Sequence, residues 1–279
     1  MSDNPCGQKI QENYRKWSMM RRAREILKRC RTPRNGAARA PMKRKLLPLP
    51  GRLNCGVAES RRALTVNESM WAEQLGKQLG RPTRSLAGWL VSKWLTAYNQ
   101  VLEESAVQLC AIQPGDTVLE LGHGPGLGLQ SAAKLLTGPT GHLIGVDYSE
   151  YMHQMAKKQM MELIASKKVT LHHCDVAAMP LRDSTVDRVF HCNCYYFWLD
   201  LRKGAAEIHR VMKPGALMVT TLRLSRVATI AAKGVMPGEN WRPEAYMAAL
   251  RDSGFTDVRM EDKQDRNITF QAIFATAFK

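Results

Sequence analysis

The chain has 279 residues, carries 41 Lys and Arg against 25 Asp and Glu for a formal net charge of +16, and is 44% hydrophobic. That length and apolar content suit one large α/β domain with an extension, or at most two small domains. No run of about 18 uncharged apolar residues occurs, which argues against a helical membrane span. The odd count of seven irregularly spaced Cys argues against a disulfide framework.

The charge is unevenly placed. The first 62 residues hold 17 Lys and Arg against four acids, a net of +13, which leaves +3 for the remaining 217. Residues 1–62 therefore read as a basic, largely disordered tail, since such a composition buries too little surface to offset ordering entropy. Between Lys9 and Arg31, Ile10, Tyr14, Trp17 and Leu27 fall roughly on one helical face. That pattern suits an organelle-targeting presequence, a membrane-surface patch, a nucleic-acid arm or a plain solvated segment. Glu12 and Glu25 count against targeting. The first thirty residues lack the apolar core of a secretory signal, so the expectation is an intracellular protein, cytoplasmic ahead of mitochondrial.

Residues 63–279 read as one domain. A helical cap occupies 63–113, where Met70, Trp71, Leu75 and Leu79 form one apolar set. Leu86, Leu90, Trp94, Ala97, Val101 and Leu102 form a second at three- and four-residue steps. From 114 to 222 short apolar strands alternate with helices. The strands are Thr117–Leu121, His142–Asp147, Val169–Cys174, Val186–Asn193 and Ala216–Leu222; the helices are Leu127–Leu136, Tyr151–Ala165 and Leu201–Met212. This alternation predicts a doubly wound α/β fold, a parallel sheet covered on both faces. Residues 223–279 hold a loop over Arg223–Trp241, a helix near Pro243–Ser253, and strands Phe255–Met260 and Ile268–Ala277. The link between those two strands is too short for a parallel crossover, so they pair antiparallel.

The chemistry is concentrated in three places. Val118-Leu119-Glu120-Leu121-Gly122-His123-Gly124-Pro125-Gly126-Leu127-Gly128 runs from an apolar strand through glycines into a helix. Such a turn lets a ligand approach the backbone without Cβ interference. About 20 residues on, strand His142–Val146 ends in Asp147, suited to ribose hydroxyls. His173-Cys174-Asp175-Val176 closes the next strand, where an adenine edge can be met.

Together with Met212-Lys213-Pro214-Gly215, these stretches resemble class I S-adenosylmethionine-dependent methyltransferases of the type-11 group, which includes quinone-biosynthesis C-methyltransferases and arsenite methyltransferases. The resemblance covers about residues 70–225. It implies a seven-stranded sheet with its last strand antiparallel and S-adenosylmethionine as cofactor. It further implies Glu120 orienting the methionine end, Gly122, Gly124 and Gly126 forming the turn, Asp147 on the ribose, and Asp175 and Val176 on the adenine. Ala216 departs from the family's second glycine after Pro-Gly, a change for the turn rather than the cofactor. His123 occupies a variable loop position and is given no role.

The fourth strand delivers His191-Cys192-Asn193-Cys194-Tyr195-Tyr196-Phe197-Trp198 to the strand ends where ligands of such sheets lie. His191 as proton acceptor, and Asn193 and Tyr195 as acceptor-positioning groups, are the catalytic candidates, although a Tyr-Tyr-Phe-Trp run more often packs and His191 also reads as a buried strand histidine. Asn193 is not followed by the Pro-Pro-aromatic sequence of many nucleic-acid methyltransferases. The His and Cys lack the paired Cys-x-x-Cys spacing of structural zinc, and no metal is expected. Trp71 and Trp241 stand as candidate lid aromatics over the acceptor, with a core role equally open for each. The near-neutral domain favours a small-molecule acceptor. An RNA or protein methyltransferase recruited through the tail, and a nicotinamide-dependent oxidoreductase, are the alternatives.

Overall fold

The computed structural model of the chain describes residues 99–236 and 238–279. The basic tail, the helical expectations before residue 99 and Trp71 lie outside those residues.

Helix α1 runs to residue 109 and turns Leu102, Ala106, Val107 and Cys110 onto the sheet. Seven strands form one sheet: β1 (Thr117–Leu121), β2 (His142–Asp147), β3 (Val169–His173), β4 (Val186–Cys192), β5 (Met212–Leu222), β6 (Phe255–Asp265) and β7 (Ile268–Ala277). Their spatial order is β3-β2-β1-β4-β5-β7-β6. All pairs are parallel except those of β7, which runs antiparallel to both β5 and β6. The chain order reverses between β1 and β4, which opens a crevice at the carboxyl ends of those two strands.

Alternation along the strands divides the core into two layers. On one face Val118, Leu143, Phe190 and Val219 pack with α1, helix α2 (Leu127–Ala133) and helix α3 (Glu150–Gln159). On the other, Leu119, Leu121, Val146, Val189 and Met218 pack with helix α5 (Leu201–Val211) and helix α7 (Pro243–Asp252). Leu119, Leu121, Leu143 and Phe190 are fully buried, and each contributes roughly 2 kcal/mol through removal of apolar surface from water. Helix starts are set locally: Ser149 Oγ accepts from Met152 N at 3.3 Å at the head of α3. Asp200 Oδ1 accepts from Arg202 N and Lys203 N at the head of α5.

The helix expected over Leu127–Leu136 ends at Ala133, and β3 and β4 stop one residue short of their expected ends; four departures are larger. Tyr151–Ala165 is two helices, α3 and α4 (Met161–Ala165), offset at Met160; the offset lets buried Met160 and partly buried Leu163 and Ile164 reach one cluster. β5 starts at Met212, pairs with Val186, bulges, and rejoins β4 at Leu217, with Lys213 Nζ held on Asp187 at 2.7 and 2.8 Å. Within the expected loop Arg223–Trp241, Leu224–Ala231 forms helix α6 with Val227 buried. β6 continues five residues beyond Met260, and a two-residue turn at Arg266 (φ 46°) and Asn267 (φ 63°) joins it to β7.

Candidate functional site

The glycine turn between β1 and α2 is held from below. Gly122 N and His123 N donate to Val146 O at 2.8 and 3.3 Å, and Gly126 N donates to His123 O at 2.9 Å. Gly122, Gly124 and Gly126 all adopt left-handed φ, at 64°, 52° and 99°, so the turn needs residues without Cβ. They are not equivalent. A Cβ on Gly122 would come 2.8 Å from Cys194 Cβ, whereas one on Gly124 would meet no protein atom within 4 Å. The backbone at Gly124 is therefore open to an approaching ligand.

Asp147, at the end of β2, ties the turn to the sheet. Its Oδ2 accepts from Gly124 N at 2.8 Å and its Oδ1 from Ser149 N at 2.7 Å, while Cys174 N donates to Asp147 O at 3.2 Å. Asp175 follows β3, with Oδ1 accepting from Ala177 N at 2.9 Å, and Val176 is buried beside it. The structure thus brings the turn, Asp147 and the Asp175-Val176 pair to the carboxyl ends of β1, β2 and β3.

The three candidates on β4 have different surroundings. His191 is fully buried. Its Nε2 lies 2.8 Å from both Tyr246 OH and Thr220 Oγ1, and its Nδ1 lies 3.3 Å from Cys194 Sγ. Burial pushes its pKa down to about 3, so the ring is a neutral hub among hydroxyls. Tyr195 is also buried, stacked on Tyr246 at 4.3 Å with its OH donating to Trp241 O at 2.9 Å. Trp241, partly buried, packs on the same cluster with Arg242 over its ring. Only Asn193 keeps partial exposure. It takes a left-handed φ of 49°, donates its backbone N–H to Thr221 O, and its Nδ2 donates to Asn99 Oδ1 at 3.1 Å.

His191→Ala is expected to cost about 3 kcal/mol, because it opens a cavity and removes the imidazole partner of the buried hydroxyls on Tyr246 and Thr220, which keep only their mutual contact at 3.2 Å and the Met218 sulfur. The sign with pH is fixed by the depressed folded pKa. An unfolded imidazole binds a proton near pH 6.5 and the native one near 3. The contribution is therefore complete above about pH 6.5 and is lost as pH falls toward 3. Urea unfolding at pH 7.5 and pH 5 checks both points: the gap between wild type and variant narrows at the lower pH.

Sequence reasoning missed two residues on α1. Asn99 and Glu103 stand one helical turn apart, so they share a face, and that face covers the ends of β4 and β1. The Glu103 carboxyl lies close against Glu120 and Cys192. Burial, the dominant influence, pushes the Glu103 carboxyl up to about 8. Burial followed by the neighbouring Glu103 raises Glu120 well above the usual carboxylate range, although Leu129 N–H donates to it. The detectable signal was an acid at position 103 on the apolar stripe that continues through Ala106, Val107 and Cys110.

An open hollow of about 430 Å³, lined by His142, His153, Lys157 and Lys167 among others, runs along β3 beneath α3 and α4.

A family model described as a methyltransferase domain matches residues 118–215. The chain is 30% identical over 195 residues to the uncharacterized methyltransferase YdaC of Bacillus subtilis, covering 70% of this chain and 98% of that protein. It is 28% identical over 128 residues to the 2-phytyl-1,4-naphtoquinone methyltransferase of a Nostoc species, covering 45% of this chain and 55% of that one. Among solved structures, a SAM-dependent methyltransferase from Aquifex aeolicus shares the fold with a TM-score of 0.54 at 20% identity, over 67% of this chain and 96% of that one.

Proposed function

The chain belongs to the class I S-adenosylmethionine-dependent methyltransferases, and from that premise we propose that it methylates a small organic molecule through a site built on the ends of β1 to β4. The cofactor supplies an electrophilic methyl group on a sulfonium. The residues present fit it: the turn leaves the Gly124 backbone open, and Glu120 keeps a buried oxygen, Oε2, without a hydrogen-bond partner. In this reading Gly122, Gly124 and Gly126 admit the ligand to the backbone, Asp147 receives the ribose hydroxyls on lone pairs beside its two backbone bonds, and Asp175 and Val176 flank the adenine.

Methyl transfer is an in-line displacement in which positive charge disappears, so the protein's contribution is alignment and exclusion of water. We assign the acceptor-aligning role to Asn193, the one candidate with partial exposure, and give His191 and Tyr195 to the support beneath it. The observation that carries the small-molecule reading is the charge distribution: the 217 residues after the tail have a net charge of only +3, too little for a phosphate-backbone footprint. The relationship to a naphthoquinone methyltransferase supports it.

The test is binding of methyl-labelled cofactor to the purified protein, followed by incubation with a metabolite extract and with total RNA. Saturable binding and label in extractable small molecules are expected. No saturable binding, or label confined to RNA, would overturn the reading.

A further inference from the structure

Glu103 belongs to no part of the function proposed above, yet it lies 7% exposed with its carboxyl against that of Glu120, itself 1% exposed. The two acids come from different elements, α1 and β1, and meet over the crevice between β1 and β4. The Oε2 atom of each is buried without a hydrogen-bond partner. Among the described residues the groups acting on them are each other, Cys192 on β4, Asp147 on β2 and the Leu129 N–H of α2, with no Lys or Arg. Cys194 also faces the pair. A buried acid pair with two unused acceptors and no countercharge among the described residues is an unbalanced arrangement.

The cofactor carries two cationic centres. The sulfonium has no N–H or O–H and cannot satisfy an orphaned oxygen. The α-ammonium has three donors and a full positive charge, matching two acceptors that lack both. We propose that Glu103 is a cofactor-binding residue, forming with Glu120 a two-carboxylate seat for the α-ammonium of the cofactor's methionine end. This rests on the methyltransferase reading and deepens the same site.

Near neutrality the free pair keeps its protons, because burial and mutual contact hold Glu103 at about 8 and Glu120 well above the carboxylate range. Arrival of the ammonium ionises one carboxyl, whose proton passes to the buffer, while the other stays protonated between the two. Cofactor binding is thus an exchange of one cation for another.

Calorimetric titration in two buffers of different ionisation enthalpy tests this, using S-adenosylhomocysteine, which has the ammonium and no sulfonium, and 5′-methylthioadenosine, which lacks the amino-acid portion. At pH 7 the wild type is expected to release about one proton with the first ligand and none with the second. Glu103→Gln is expected to weaken S-adenosylhomocysteine about tenfold or more while leaving methylthioadenosine within about twofold. Equal loss for both ligands would mean a structural role and would overturn the seat, as would wild-type binding without proton release. The wild-type measurement stands even if the variant misfolds. Failure of the wild type to bind either ligand would instead overturn the cofactor site as a whole.

Discussion

Gly128→Ala is expected to cost the fold about 3 kcal/mol and to weaken cofactor binding at least tenfold. Gly128 lies in the first turn of α2, directly above β1, and an added methyl would come 2.8 Å from Glu120 Cδ and 2.8 Å from Phe190 Cε2. Neither neighbour can yield cheaply. Phe190 is fully buried and Glu120 nearly so, and Glu120 receives the Leu129 N–H of the same turn. The helix would have to lift, carrying the glycine turn with it. Gly124→Ala is the control: its methyl meets no protein atom, so stability falls only by the strain of a left-handed alanine, about 1 kcal/mol. Urea unfolding of the two variants side by side gives the comparison. A Gly128→Ala protein as stable as wild type would show that α2 is not seated on the Glu120 carboxyl.

The second large effect belongs to Asp147→Ala, for which cofactor affinity is expected to fall about a hundredfold, or roughly 2.7 kcal/mol. Two losses combine. The proposed ribose contact disappears, and Gly124 N and Ser149 N lose their acceptor, which loosens both the turn and the head of α3. Asp147→Asn separates them, because one carbonyl oxygen can serve one backbone donor while the amide opposes the other. An intermediate loss is expected. Equilibrium dialysis with labelled cofactor reads all three proteins, and an unchanged dissociation constant for the alanine variant would remove Asp147 from the ligand site.

Elements written in apolar alternation and glycine were readable from the chain. β1, β2 and β7 have the expected bounds, because each is written in a run of mainly apolar residues. The turn of Gly122, Gly124 and Gly126 was legible for the same reason: a left-handed backbone leaves its mark in residue choice. α6 was hidden by Val227, Thr229 and Ile230, β-branched residues that weaken a helical signal. The far half of β6 was hidden because Arg259, Glu261, Lys263 and Asp265 present charge where a strand is expected to present apolar side chains. Its turn uses Arg266-Asn267 in place of the usual glycine pair.

The candidate site divides along a similar line. Residues contributed by strand ends could be located from the β-α alternation, since the topology places all strand ends together. Glu103 could not, because it reaches the site from a helix across the sheet face, and spacing along the chain says nothing of which strand end it will cover. His191 illustrates the reverse. Its position at a strand end was right, but the strand's alternation turned its ring under the sheet toward Tyr246 and Thr220, away from the face on which Glu120 and Glu103 meet.

The outermost strand, β6, carries Arg259, Glu261 and Lys263 in alternation, with Glu261 bonded to both bases and the two bases lying over the Phe274 ring. The last ladder of the sheet therefore ends in a row of fixed charges. A second chain offering its own backbone there would have to strip water from ions already paired, so crowded copies of the protein gain little by joining along this edge.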